Sequence, residues 1–223
     1  MCGRFTLTVN PAEFEDKFGN FIFPQQFAPR FNIAPSQPTL AIPNNDRFKA
    51  DFFTWGLVPM WAKDPVIGHR LINARSETLA EKPSFRGSLK YKRCLVFADG
   101  FYEWKTHRGK KAKTPFYIYM KDRQPFAFAG LWDTWSSSDG SYLRSCALIT
   151  TAPNKLMETI HNRMPAILHP RDYAAWLDPS AQTPNQILPL IKSYPAEEMD
   201  AHPVSALVNN AHLDAPEMVL PAQ

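Results

Sequence analysis

Between residues 39 and 150 the chain is a succession of short runs rich in aromatic and β-branched residues, each closed by a turn signal. The runs cover 39–42, 49–57, 93–98, 101–105, 114–120, 126–131 and 142–150. Side chains of this kind fit a pleated, half-buried surface, so the pattern predicts consecutive strands. Helical signals lie outside this stretch. Asn10 as cap, Pro11 in the first turn and Gly19 as stop frame a helix over 11–18. Further helices are expected at 154–161, 170–176 and 185–191, the last interrupted by Pro189, with a short extended piece at 199–204. Strands first and a few peripheral helices read as α+β: one domain with a curled, barrel-like, mostly antiparallel β-sheet core. That domain is expected to span 1–213, with 214–223 as a loose C-terminal tail.

Composition narrows the class further. Hydrophobic residues make up 44% of 223, enough for a real core. Pro is abundant at 21 and Gly scarce at 9, which favours rigid, extended connections. Three cysteines without metal-type spacing suit a reducing compartment and argue against a disulfide scaffold or a zinc site. No signal-peptide pattern and no membrane-length apolar run is present, so a soluble, cytoplasmic protein is expected. The net charge of +4 is compatible with a polyanionic partner without demanding one. There is no P-loop, Gly-x-Ser-x-Gly elbow or dinucleotide fingerprint, and no cofactor or metal is expected.

Chemistry-bearing residues gather in a few segments. In 71–78, Asn73 brings an amide that donates and accepts, and Arg75 a fork suited to phosphate or carboxylate. The same residues also read as a turn with a helix start, capped by Asn73 or Ser76. In 98–104, Glu103 sits among aromatic residues, where a carboxyl is a usable general acid or base, or else faces outward beside a tight turn at Asp99-Gly100. Trp104 is either a stacking platform or ordinary core. In 159–165, His161 either moves a proton or serves as a helix C-terminal cation, with Arg163 two residues on. Lys105, Arg108, Lys110, Lys111 and Lys113 read as a solvated hairpin loop. Trp55, Pro59 and Trp61 form an exposed-looking stretch suited to stacking on a nucleic acid or packing under a loop.

The second residue is a cysteine, in Met1-Cys2-Gly3-Arg4-Phe5. If Met1 is removed, the chain begins with an amine and a thiol on adjacent carbons. Such an aminothiol condenses with an aldehyde to an imine, and the thiol closes onto the imine carbon to give a thiazolidine. An N-terminal amine has a reference pKa of about 7.7–8.0, so part of it is neutral and nucleophilic near neutrality. Alternatively Cys2 is simply a small residue half-buried at a chain end.

Taken together, Met-Cys-Gly-Arg-Phe, Asn-Ala-Arg-Ser-Glu-Thr, Gly-Phe-Tyr-Glu-Trp and Ile-His-Asn-Arg-Met-Pro resemble the SRAP family, the SOS response-associated peptidase-like proteins regarded as abasic-site processing proteins. Trp-Gly-Leu-Val-Pro at 55–59, Phe-Asn-Ile-Ala-Pro at 31–35 and His-Pro-Val-Ser at 202–205 fit the same resemblance, which runs from Cys2 to about Asn210. It implies one domain with a β-barrel-like core. It implies an abasic-site DNA–protein crosslinking enzyme that acts on single-stranded DNA through Cys2 and shields the site from strand cleavage. Crosslink reversal, a lyase activity and autocatalytic loss of Met1 go with it. By the same resemblance Cys2, Asn73, Glu103 and His161 are the catalytic positions. Arg4, Arg75 and Arg163 hold the phosphate backbone, and Trp104 and Trp61 lie along the DNA path. Met164 stands where some members carry a second basic residue. A monomer without membrane association is expected. The competing readings are an N-terminal-nucleophile thiol peptidase and a non-catalytic binder of single-stranded or modified DNA.

Overall fold

The computed structural model describes residues 2–45, 49–107, 109 and 112–222. Its strands in chain order are β1 Arg4–Leu7, β2 Arg30–Ile33, β3 Pro38–Pro43, β4 Asp51–Trp55, β5 Asn73–Arg75, β6 Arg93–Ala98 and β7 Gly100–Thr106. They continue with β8 Lys113–Met120, β9 Phe126–Ser136, β10 Tyr142–Thr151, β11 Met164–Pro165, β12 Ile167–Leu168 and β13 Met199–Pro203. The helices are α1 Pro11–Lys17, α2 Arg86–Tyr91, α3 Lys155–Glu158, α4 Tyr173–Leu177 and α5 Pro184–Ile187, joined by several 3-10 turns.

Two sheets form the body. One has the order β13-β8-β7-β1-β2. The other closes on itself, because β10 pairs with β4 at one side and with β9 at the other, giving the ring β10-β4-β3-β6-β9. Closure removes the ring's own free edges. The pairings are antiparallel except those of β10 with β4 and with β5. The expected α+β fold with a barrel-like, mostly antiparallel core is therefore present. The open sheet packs on the barrel through aromatic edges: Phe5 meets Trp55 at 4.9 Å and Phe128 at 5.7 Å, and Phe101 meets Phe128 at 6.1 Å. Burying such rings contributes their area and a further ~0.5–1.5 kcal/mol per well-placed pair.

Local departures from the sequence expectations have identifiable causes. Asn10 caps α1 as expected, accepting from the Glu13 backbone N–H at 3.1 Å. Strand β9 runs five residues past the expected 131, because its second half pairs with β10 while its first half pairs with β6. Helix α3 stops at Glu158, short of the expected 161. The expected helix at 185–191 is α5 followed by a 3-10 turn, Leu188–Leu190, since Pro189 has no N–H for an α-helical bond. Asp99-Gly100 is not a hairpin turn; it is the corner where the chain leaves the barrel (β6) and enters the open sheet (β7). A Cβ on Gly100 would lie 2.2 Å from the Tyr117 hydroxyl, so only glycine admits this packing.

The residues after Leu213 are not a loose tail. Asp214 pairs with Arg30 and accepts the Phe31 N–H at 2.5 Å. Val204 bridges Pro221, the Val219 carbonyl lies 2.9 Å from His202 Nε2, and Met218 is buried. Trp55, read with Trp61 either as a stacking surface or as packed under a loop, is fully buried and donates its Nε1–H to the Ile72 carbonyl at 2.9 Å. Of the basic loop, Arg108, Lys110 and Lys111 lie outside the described residues; Lys105 and Lys113 sit on the facing strands β7 and β8. No helix among the described residues is long and apolar enough to cross a membrane.

Candidate active site

Asp99 sets the position of the N-terminal strand. Its nearly buried carboxylate accepts from the Thr6 hydroxyl, from the Thr8 N–H and hydroxyl, each at 2.5 Å, and from the Val9 N–H at 3.1 Å. With β1 fixed at that end, its antiparallel register on β7 pairs Thr6 with Gly100, Phe5 with Phe101 and Arg4 with Tyr102. The first residues are thereby led along β7 toward Glu103. Strand alternation turns Phe101 and Glu103 to the inner face and Tyr102 and Trp104 to the other, where they meet Tyr117, Tyr119 and Val208. Glu103 is buried, and so is Cys2.

The barrel supplies the other side. Strand β5 runs parallel to β10, with Asn73 opposite Leu148. Asn73 donates its side-chain amide to the Cys2 carbonyl at 2.7 Å. Its Oδ1 is buried and has no hydrogen-bond partner among the described residues. His161 follows α3, which Asn154 caps by accepting from the Met157 N–H at 2.9 Å. The His161 N–H closes back on the Met157 carbonyl at 2.7 Å. Its Nδ1 lies 4.0 Å from Glu103 Oε1 and 3.1 Å from the Arg163 backbone nitrogen. Nδ1 also lies 3.3 Å from the Arg163 carbonyl, so it accepts from the Arg163 N–H in one tautomer and donates to the Arg163 carbonyl in the other. The centre thus brings together a cysteine, a carboxyl, an imidazole and an amide from four distant segments.

Electrostatics decide what the cysteine can do. Burial, and secondarily the Glu103 charge, push the Cys2 thiol far above its ordinary range. A standing thiolate is therefore disfavoured, and reaction at sulfur needs a base to take the proton as the bond forms. Burial lowers the Arg4 guanidinium from its ordinary value, with the nearby Cys2 acting against this. Arg4 folds back onto the Gly3 carbonyl at 2.9 Å, and its buried Nε has no hydrogen-bond partner among the described residues.

The remaining expected positions separate. Arg75 ends β5 with an exposed side chain. Arg163 is already engaged, by both Glu77 oxygens and by the Thr150 carbonyl. Trp104 is half-buried and donates to Asn209 Oδ1 at 2.8 Å. Trp61 is 56% exposed and lines a cleft with Met60, Arg86 and Tyr91, a lining that includes none of the four central residues. Met164 is wholly buried in the core. Cavities lined by Lys17, Phe18, Pro170 and Tyr173 share no residue with the cluster. Among the described residues no group of His, Cys, Asp and Glu side chains is arranged to hold a metal ion. Two contributors were not assigned from the sequence. Asp99 reads there as a turn residue, and Glu77 as part of a helix start; only long-range contacts reveal their roles.

A model of the family described as SOS response associated peptidase (SRAP) matches residues 1–211. The chain is 45% identical over 225 residues to the abasic site processing protein YoqW of Bacillus subtilis, covering 98% of this chain and 99% of that one. It is 32% identical over 262 residues to the abasic site processing protein HMCES of Xenopus tropicalis, covering 97% of this chain and 77% of the other. Among crystal structures, a Bacteroides thetaiotaomicron protein superposes with a TM-score of 0.88 at 27% identity, over all of both chains. A phage-related protein of Bordetella bronchiseptica superposes with a TM-score of 0.71 at 27% identity, over 91% of this chain and 94% of that one.

Proposed function

The chain belongs to the SRAP family, and from that membership we propose that it processes abasic sites in DNA by capturing them covalently on Cys2. The relatives named abasic site processing proteins support the substrate. The observation that carries the chemistry is the 2.7 Å bond from Asn73 to the Cys2 carbonyl, which ties the second residue of the chain beside Glu103 and His161.

The reaction begins once hydrolysis frees Cys2 from Met1, a step we assign to the same centre. An abasic deoxyribose is mostly a closed ring, with the aldehyde a minor form. Glu103 in its acid form hands a proton to the ring oxygen while water takes the proton of the C1′ hydroxyl, so the C1′–O4′ bond breaks and the ring opens to an aldehyde and a hydroxyl. The Cys2 amine adds to C1′, and loss of one water gives the imine. The Cys2 thiol then adds across the C=N bond. Sulfur binds carbon, the C=N π pair moves to nitrogen, which takes a proton from water, and the thiol proton passes to the Glu103 carboxylate and restores its acid form. The product is a thiazolidine. His161 donates a ring N–H to the developing sugar oxygen. Asn73 orients the Cys2 end.

Ring closure has a protective consequence. An imine acidifies the C2′ protons and invites elimination of the 3′ phosphate, which is the lyase side reaction. Removing the imine keeps the strand intact. Single-stranded DNA is the form we assign, because there the deoxyribose can turn into a buried centre without unpairing a duplex. Arg4, Arg75 and Arg163 are the candidate phosphate contacts, and Trp104 and Trp61 the candidate stacking surfaces.

The test is incubation of the purified chain with single-stranded DNA bearing one abasic site, followed by a denaturing gel and intact mass. The expected product is a heat-stable adduct with the mass of the Met1-less chain plus DNA minus one water. An equal yield of adduct from Cys2→Ala overturns the assignment.

A further inference from the structure

Arg163 presents both outer nitrogens of its guanidinium to a single carboxylate, Nη1 to Glu77 Oε1 at 2.5 Å and Nη2 to Oε2 at 2.9 Å. Nη2 also donates to the Thr150 carbonyl at 2.6 Å, and the buried Nε has no hydrogen-bond partner among the described residues. The two partners are unequally exposed. The Arg163 side chain is 16% exposed and that of Glu77 is 53% exposed. The guanidinium is thus anchored to the barrel through Thr150, while the carboxylate lies on the solvent side as the removable half. The fork that binds a carboxylate in this geometry binds a phosphate equally well. Glu77 sits on the 3-10 turn Ser76–Thr78, directly after Asn73–Arg75, so it borders the catalytic cluster. The bond to Arg163 also holds its carboxyl below the ordinary range.

We propose that Glu77 is a built-in competitor for the DNA backbone: it occupies the place of a phosphate on Arg163 and must be displaced when a strand binds. This rests on the DNA-binding reading above and goes beyond it by naming what the strand replaces. The exchange has a distinctive salt signature. A phosphate that meets a free arginine releases a condensed counterion. Here the arginine starts out neutralised, and the displaced carboxylate gathers a cation in return. The contact therefore adds little to the salt dependence until Glu77 is removed.

The experiment is fluorescence anisotropy with a labelled, undamaged single-stranded oligonucleotide, which cannot crosslink, over a range of salt concentrations. Glu77→Gln is expected to bind roughly two- to fivefold tighter at low salt, the range of an exposed ion pair. Its log–log salt slope is expected to steepen by about 0.7, the value for one single-strand phosphate. Arg163→Met is expected to bind more weakly than the parent. In the Arg163→Met background, Glu77→Gln is expected to leave the slope unchanged. Equal tightening in both backgrounds makes Glu77 a general negative charge and overturns the proposal. So does binding by the parent that Glu77→Gln leaves untouched. If the parent itself binds no single strand, the DNA reading fails along with the competitor.

Discussion

The side-chain amide of Asn73 donates to the carbonyl oxygen of Cys2 across 2.7 Å, joining β5, which pairs with barrel strand β10, to the residues leading into β1 of the open sheet. The bond engages neither the cysteine thiol, which donates to the Arg4 carbonyl at 3.6 Å, nor the backbone nitrogen, while removing the freedom of a chain end. Asn73→Ala is expected to slow single-turnover crosslinking by roughly five- to fiftyfold, the loss of one oriented hydrogen bond. Asn73→Asp is expected to be slower still, because a carboxylate then faces the carbonyl it should donate to. Rapid-quench gels give both rates, and a parental rate in Asn73→Ala removes this residue from the mechanism.

Cys2→Ser keeps the amine and loses the thiol. Its adduct is expected to be an imine that heat or acid destroys and that borohydride reduction preserves. Strand cleavage at the abasic site should rise relative to the parent, since the imine persists. The measurement is the ratio of intact adduct to cleaved strand with and without reductant. A heat-stable adduct from Cys2→Ser without reductant contradicts the thiazolidine step.

Glu103→Gln retains shape and hydrogen bonding but cannot exchange a proton. Crosslinking is expected to slow by about 10²–10⁴-fold, the usual contribution of a positioned acid or base. Release of the DNA should slow in parallel if one acid serves both directions. Forward rates come from single-turnover gels, and reverse rates from transfer of labelled protein to an unlabelled competitor strand. Slowing in only one direction excludes a shared proton carrier.

Much of the architecture is legible along the chain because the strands of the barrel are long and chemically uniform. Arg93–Ala98 and Tyr142–Thr151 consist mostly of buried residues with strand propensity. What is illegible depends on contacts far apart in sequence. Arg4–Leu7 is a four-residue strand whose existence depends on Asp99, more than ninety positions away. The tail carries polar, Pro-interrupted sequence, yet Asn32 clamps the segment leading to it by donating to the Asn210 and Leu213 carbonyls at 3.0 and 2.9 Å. The four residues of the candidate centre were identified by motif; their proximity is not encoded in spacing. The Glu77–Arg163 pair spans two motifs that each read as complete by themselves.

Asp99→Ala is expected to cost about 3–5 kcal/mol of stability, since it leaves the Thr8 and Val9 N–H groups and the Thr6 hydroxyl without their shared acceptor. The first strand should loosen before the barrel does. Crosslinking is expected to slow even where the protein remains folded, because Cys2 is led to Glu103 by that strand. Urea unfolding gives the first quantity and gel kinetics at low temperature the second. An Asp99→Ala protein with parental stability contradicts the clamp.

Alkaline pH offers a separate test of the interior. Cys2, Cys94 and Cys146 are all buried free thiols. Burial pushes each far above the ordinary range, with the Glu103 charge adding at Cys2 and Cys146 adding at Cys94. An unfolded thiol ionises near a pKa of about 8.5. Above that value the folded chain holds more protons than the unfolded chain, so stability falls as pH rises. The neutral thiols therefore contribute fully below the unfolded pKa and are progressively lost above it. Each thiol contributes a slope of about 1.4 kcal/mol per pH unit, and three together about 4. Tyr102, Tyr117 and Tyr173, likewise raised by burial, add to the slope above about pH 10. Urea midpoints at pH 7.5, 9.0 and 10.0 should fall steeply over the last interval. Cys94→Ala should flatten that fall by about one third whatever its effect on stability at neutral pH, because only the slope counts ionising groups. A stability curve that stays level to pH 10 is incompatible with three neutral thiols in this core.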